Sequence, residues 1–426
     1  MVFAIVGFLI ASRLPARFSA LGVVAMELAL LATIRDSLLV NIIMLCIRSP
    51  RSGNGSPADS QRHHGGARFH YHPADLPASA GGTQPDRPTC PVLTTPGRWR
   101  PEPPHRASNR GDGMAQFGVS IQARDAADAV AQIWQAETAG VEAAWATIGG
   151  AGGDDPLIAF AAALTQTSRI LLGSAIIQTW PRHPILIAQQ TLALEALAPG
   201  RFRLGIGPAH IGNMERAYGF DFSAPLTNLR EYLTVLTTLL HTGEVEFQGK
   251  QVTARTRIRR AVDVPVMASA LRPKSYEICG ELADGAISWM CPRAYLVEQA
   301  LPALRRGAER AGRPTPPLIA HVPIAVSADR EAVRTLARAT LGNYGRTPFY
   351  QLMFEQAGYP GSAESYSDAL LDDLVISGSE QEVARGLRSL QAAGMGEVIA
   401  APILDPNDRE GSIARAFAAT ALAARG

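Results

Sequence analysis

Lysine is almost missing from this chain. Lys250 and Lys274 are the only two among 40 basic residues, and all the others are arginine. Against them stand 38 acidic residues, for a formal net charge of +2. A balance this close to neutral gives no reason to expect nucleic acid or an acidic partner. Cysteine is scarce as well. Cys46, Cys90, Cys279 and Cys291 include no C-x-x-C pair, so the common metal-ligand spacing is absent. They read as small apolar filler in a reducing, cytoplasmic setting. Long clean apolar runs are missing too. Leu21–Ile34 is too short to span a bilayer and contains Glu27, whereas a span needs about 20 apolar residues. Met1–Ser12 lacks the basic start of a signal peptide, and no small-residue cleavage site comes after it. No Ser-His-Asp or Cys-His motif is present, so nothing points to nucleophilic catalysis.

The chain divides by composition. Met1–Ile47 is strongly apolar, and Arg48–Gly113 is dense in Pro, Gly, Arg, Ser and His. The second stretch has no apolar periodicity and is expected to be irregular. Its His63-His64 and His70-x-His72 clusters lack an ordered scaffold, so no metal is expected there. From Phe117 the chain reads at once as a strand, FGVSIQ. The domains are therefore 1–113, an extension unrelated to the remainder of the chain, and 114–426, one folded unit. The preferred explanation is an upstream start assigned in error, with Met114 the natural start. The rival is a membrane-associated extension on a tether.

Past Met114 strands and helices alternate. Strands are expected at Phe117–Gln122, Val141–Thr147, Ile170–Ile177, Arg201–Ile206, Pro265–Ser269, Gly285–Met290, Leu318–Val326 and Glu397–Ala401. Helices lie between them. A short hairpin falls near Glu244–Thr253, and a helical insertion spans Arg330–Glu355. Eight strands alternating with helices make an α/β fold of the (β/α)8 barrel type, with insertions. In such barrels ligands bind at the carboxyl ends of the strands. Candidate pocket residues are those ends: Gln122, Thr147, Gln178, Trp180 and Trp289. His321 stands early in its strand, which argues for the core or the far face.

The most informative stretch is Ser168–His210. A near-continuous apolar strand is broken by Gly173 and Ser174, which signals a bulge or a close ligand approach. A helix opened by Pro184 comes next, and then a strand ending in Gly205-Ile206-Gly207. This is not the dinucleotide fingerprint, because His210 takes the third glycine's position. His210 reads first as a surface loop residue and second as a proton-donor candidate. Asn213 begins the next segment. Further on, Ser269-Ala270-Leu271-Arg272-Pro273-Lys274 runs from a strand into a helix start, where free N–H groups and the helix dipole favour phosphate.

LGSAII, RHPILIAQQ and P-G-R-F-x-L-G-I-G, in this order and spacing, resemble the bacterial luciferase-like superfamily, in particular its oxidoreductases that use the deazaflavin coenzyme F420. NLREYLTVLTTLL, GEVEFQG, PVMASALRPKSYEICGELADGAI and EVIAAP extend the resemblance over about residues 116–424. It implies hydride transfer to or from a small organic substrate. It also implies a non-proline cis peptide at a third-strand bulge, matched here by Ser174–Ala175, bracing the coenzyme ring. Gly205 and Gly207 would leave bare backbone against the ring or its ribityl chain. Asn213 would reach the tail through a backbone N–H or its amide. Ser269, Ala270, Leu271 and Arg272 would seat the phosphate. A homodimer is left open. Two other readings remain: an FMN-dependent monooxygenase on the same fold, and a cofactor-binding protein without turnover. Loops around Gly149–Asp154 and Tyr344–Tyr359 would shape the substrate pocket.

Overall fold

The structure, a computed structural model, describes residues 116–147 and 152–426. The expectations for 1–113, for Cys46 and Cys90, and for residues 149–151 of the Gly149–Asp154 loop lie outside the described residues.

Eight parallel strands close on themselves. They are β1 (Phe117–Ser120), β2 (Ala143–Ala146), β3 (Leu171–Ser174) with its continuation β4 (Ile177–Gln178), β5 (Phe202–Gly207), β8 (Val266–Ser269), β9 (Gly285–Trp289), β10 (Leu318–Val326) and β12 (Glu397–Pro402). Their order is β1-β2-β3-β5-β8-β9-β10-β12, and β12 pairs back onto β1 through Phe117↔Val398. The hairpin β6 (Glu244–Gln248) and β7 (Thr253–Arg257) forms a separate two-stranded sheet. A short β11 (Ile376–Gly378) extends the end of β10. The fold is the expected (β/α)8 barrel.

The outer helices start where the sequence supplies caps. Asp125 caps α1 (Ala126–Ala139) and Asp155 caps α2 (Pro156–Gln166), each accepting a backbone N–H. Pro184 and Pro225 sit in the first turns of α3 (Pro184–Leu197) and α5 (Pro225–Thr242), where a missing N–H costs nothing. The helix expected between β9 and β10 is interrupted by a π-turn at Leu296–Ala300, next to Pro302. Proline removes the N–H that would continue a regular ladder. The insertion expected as helix over Arg330–Glu355 is two helices, Arg330–Leu341 and Pro348–Gln356, broken by a 3-10 turn at Tyr344–Arg346. Gly342 and Pro348 bracket the break. It carries Tyr344 onto the carboxyl face of the barrel.

The lower interior of the barrel holds charge. Arg203 on β5 and Glu397 on β12 stand on opposite sides of the ring of strands and meet across it at 2.5 and 3.1 Å. Trp145 Nε1 donates to the same carboxylate at 2.8 Å, and the Arg203 guanidinium lies 4.4 Å from the Trp145 ring centroid. All three side chains are buried. A β-carbon at Gly118 would stand 2.8 Å from the indole, and one at Gly173 would collide with it. Gly173 is therefore small because Trp145 occupies the space beside it, not to admit a ligand.

Candidate active site at the carboxyl face

The strand β3 bulges where expected. From Gly173 to Ile177 it takes four steps, while its partner takes three from Arg203 to Ile206. The cis peptide is Ala175–Ile176, one residue beyond the expected Ser174–Ala175. The shift has a visible cause. Ser174 remains in register, and its hydroxyl is used inside the sheet. It donates to Gly205 O at 2.8 Å and accepts from Gly205 N at 2.9 Å. The irregularity begins only after that clamp. Ser174 is fully buried and turned to β5, so it is a satisfied core hydroxyl. Ala175 and half-buried Ile176 are the residues of the bulge left to form a shelf.

Gly205 and Gly207 also have local explanations. A β-carbon at Gly205 would strike the Ser174 carbonyl, and one at Gly207 would strike Ser269 Oγ and press on Ile176 at 3.1 Å. The space above both glycines is filled by neighbouring strands. The next residues turn sharply. Ala209 has φ 63° and Met290, after Trp289, has φ 53°. Left-handed non-glycine residues are uncommon and cluster at functional sites. Both lie at strand ends on the same face.

The helix start after β8 is less open than its sequence implies. The N–H groups of Leu271 and Arg272 both point at Ser275 Oγ, at 3.1 and 3.2 Å, and Ala270 N donates to Ile287 O at 2.9 Å. Pro273 has no N–H. A backbone phosphate cradle at 270–273 is thus already occupied by the protein itself. What stays free is on a side chain: Arg272 Nε is buried without a partner. Asn213 lies in the short helix α4 (Ile211–Arg216), and its N–H donates to His210 O at 3.0 Å. Its exposed amide is the group left for a ligand.

A chain of rings crosses the mouth. His321 on β10 and Trp289 on β9 are paired in register, and their ring centroids are 4.4 Å apart. Trp289 meets Tyr344 at 6.0 Å, Tyr344 meets Tyr350 at 5.1 Å, and His210 lies 5.8 Å from Tyr344 and 6.0 Å from Tyr350. His321 is thus buried in the barrel interior just beneath the carboxyl face, which fits the core reading and not the far face. It stands higher than its early place in the strand implies because β10 begins one step above β9: Leu318 pairs with Ala286, the second residue of β9, so His321 is level with Trp289 at that strand's end. Its Nε2 is buried without a partner, and burial pushes its pKa down to about 3. His210 is exposed, yet the rings around it partly desolvate it and lower its pKa, while burial raises that of Tyr350.

The other pocket candidates divide. Gln178 is buried with Oε1 unpartnered. The Gln122 amide bonds Ser120 Oγ at 3.3 Å at the rim. Thr147 is exposed. Trp180 packs on Phe222 at 5.3 Å and Phe220 at 6.3 Å, apart from the His210–Trp289 group. Neither described cysteine is a reactive thiol. Cys279 and Cys291 are buried, which pushes both up to about 12.

Tyr344 and Tyr350 were not singled out individually, though the Tyr344–Tyr359 loop was. Five aromatics fall within those sixteen residues, and that density is the signal. Among the described residues no group of His, Cys, Asp and Glu could hold a metal, and no helix is long and apolar enough to cross a membrane.

Comparison with known proteins fits this geometry. An uncharacterized protein of Mycobacterium tuberculosis is 30% identical over 222 residues, 48% of this chain and 65% of that protein. The chain thus spans just under two thirds of that relative's length. A putative coenzyme F420-dependent oxidoreductase of the same species is 27% identical over 273 residues, covering 54% of this chain and 78% of that one. Among solved structures, an F420-dependent secondary alcohol dehydrogenase in complex with an F420-acetone adduct superposes with TM-score 0.60 and 18% identity. The match covers 70% of this chain and 96% of that one. The oxygenating constituent of 3,6-diketocamphane monooxygenase from Pseudomonas putida, in complex with FMN, gives 0.52 and 16%, covering 67% and 92%. At these identities the two structures share the fold alone. Residues 1–50 match a separate family model, a protein of unknown function, DUF2585. The model of the luciferase-like monooxygenases matches residues 106–397, more than half of the chain. This chain belongs to the luciferase-like monooxygenase family.

Proposed function

We propose that the barrel is an oxidoreductase that uses coenzyme F420 to move a hydride to or from a small organic molecule. The observation that carries this reading is the set of unpartnered polar atoms at the barrel mouth. Gln178 Oε1 and His321 Nε2 lie under the mouth, and Arg272 Nε lies at the rim. Buried polar groups are nearly always paired, so atoms left open at one face fit a ligand that completes them. Gln178 Oε1 and Arg272 Nε suit a flat heteroaromatic ring with a phosphorylated tail, and His321 Nε2 is left for the substrate. The mycobacterial relative described as F420-dependent supports the choice of cofactor.

When bound, the deazaflavin supplies the hydride chemistry. The protein's own groups position and shield. Ala175 and Ile176 offer an apolar shelf at the bulge. Trp289, Tyr344 and Tyr350 keep water from the reacting face. Arg272 supplies the charge for a phosphate in place of the occupied N–H groups. His210, with its lowered pKa, rests neutral at neutral pH and so takes a proton rather than giving one. Residues 1–113 take no part in this chemistry, and we propose Met114 as the start of the functional unit.

The test is a titration of the full chain with both cofactors. Coenzyme F420 should bind at about micromolar Kd and FMN at least about tenfold more weakly, a gap of about 1.4 kcal/mol. Copurifying FMN without affinity for F420 would replace this reading with the FMN monooxygenase. Tight F420 binding with no redox activity on any substrate would favour a carrier.

A further inference from the structure

The ring chain at the mouth has a chemical character of its own. Its members in contact are His321, Trp289, Tyr344, Tyr350 and His210. None carries a formal charge at neutral pH. Tyr350 packs further on Phe354, and Phe354 on Tyr366, so the layer behind it is uncharged too. A carboxylate or phosphate placed here would be desolvated without a countercharge, which is costly. An aromatic or other flat apolar group gains from ring edges and faces set at 45° to 69° to one another.

Two unpartnered polar atoms break this apolar wall, Trp289 Nε1 and His321 Nε2. His321 is 4% exposed, and its Nε2 has no partner. A histidine so placed can offer one hydrogen bond and no charge. A buried, unpaired nitrogen beneath a functional face calls for a partner that arrives from outside.

We infer that this site takes an uncharged, flat substrate with a single oxygen, a ketone or the alcohol related to it, and that His321 Nε2 is the hydrogen-bonding partner of that oxygen beside Trp289. This rests on the carboxyl face being the substrate site, as proposed above, and it names the substrate class. Acidic metabolites and phosphate esters are excluded by the same wall. Tyr344, half-buried on the break between two helices, packs on Trp289 and forms the outer part of the same wall.

The test uses two probes of similar size, acetophenone and benzoate, titrated calorimetrically into the full chain with and without saturating coenzyme F420. Acetophenone should bind at least about tenfold more tightly than benzoate. His321→Leu should weaken acetophenone at least about fivefold, while His321→Gln, which keeps a hydrogen-bonding group, stays within about twofold of the parent. The affinity for F420 should not move in either variant. A histidine with a merely structural role would lower Tm in both variants and leave acetophenone binding unchanged. If His321→Leu does not fold, Tyr344→Arg decides. A cation in the wall should reverse the preference and make benzoate the tighter probe. Equal binding of the two probes, no binding of acetophenone, or unchanged preference in Tyr344→Arg would overturn the inference. Failure of F420 to bind while the acetophenone preference holds would sink the cofactor reading and leave this one standing.

Discussion

The two ends of the same barrel interior are built on opposite plans. At the lower end a full charge pair is sealed in, and both oxygens of Glu397 are taken by Arg203 and Trp145. At the upper end no formal charge is enclosed, and polar atoms on His321 and Gln178 are left open. At the lower end the carboxylate is fully bonded and Arg203 Nε is the atom left open, whereas at the upper end Gln178, Trp289 and His321 each leave one open. A (β/α)8 barrel keeps stability and function at different ends. Here the separation can be read in which hydrogen bonds are already made.

The comparison breaks most visibly at Glu397. Glu397→Ala leaves Arg203 buried without its partner and should destabilise the fold by about 3–5 kcal/mol. The double variant Arg203→Met with Glu397→Leu should recover most of that loss, because an apolar pair has nothing to leave unpaired. Chemical denaturation of the three proteins measures both. If Glu397→Ala unfolds at the parent's midpoint, the floor is not the stabilising end.

A smaller effect should come from acid. The folded-state pKa of His321 is pushed down to about 3, against about 6.5 in the unfolded chain. The unfolded chain therefore binds a proton that the folded one refuses. The stability this burial confers is whole above about pH 6.5 and drains away as pH falls towards 3, by at most about 1.4 kcal/mol per unit. His321→Leu should flatten that part of the curve. Melting at about pH 7 and about pH 4.5 compares the two proteins, and equal drops would refute the assignment.

Smaller again is the phosphate contact. Arg272→Ala should weaken coenzyme F420 by about 1.5–3 kcal/mol, the worth of one charge-assisted hydrogen bond, with Tm unmoved. Normal affinity in this variant would move the phosphate elsewhere. The least effect is expected from removing residues 1–113. Protein from Met114 onward should stay soluble and keep the parent's cofactor affinity. A loss of either would assign the extension a share in the fold.

Strand order was legible because buried parallel strands leave continuous apolar runs between capped helices. The bulge after Gly173 was legible from one small residue and a serine. The position of the cis bond was not, because it depends on Ser174 Oγ reaching β5, a contact that the local sequence does not encode. Arg203 and Glu397 were invisible for a similar reason. Each sits alone in a strand, and 194 residues separate them. The phosphate seat was misjudged because Ser275 reads as an ordinary helix residue, yet its hydroxyl folds back to take the N–H groups of Leu271 and Arg272. The height of His321 was not legible because register between β9 and β10 cannot be counted along one chain.

Trp145 and its two glycines make three positions that share one degree of freedom. With the indole in place, residues 118 and 173 are locked to hydrogen side chains. In a homologue where a smaller residue stands at 145, alanine or serine becomes admissible at both. The barrel can therefore drift along this direction only by changing the large residue first. A library that randomises 118 or 173 alone should return glycine almost every time, and one that randomises all three should return compensated sets.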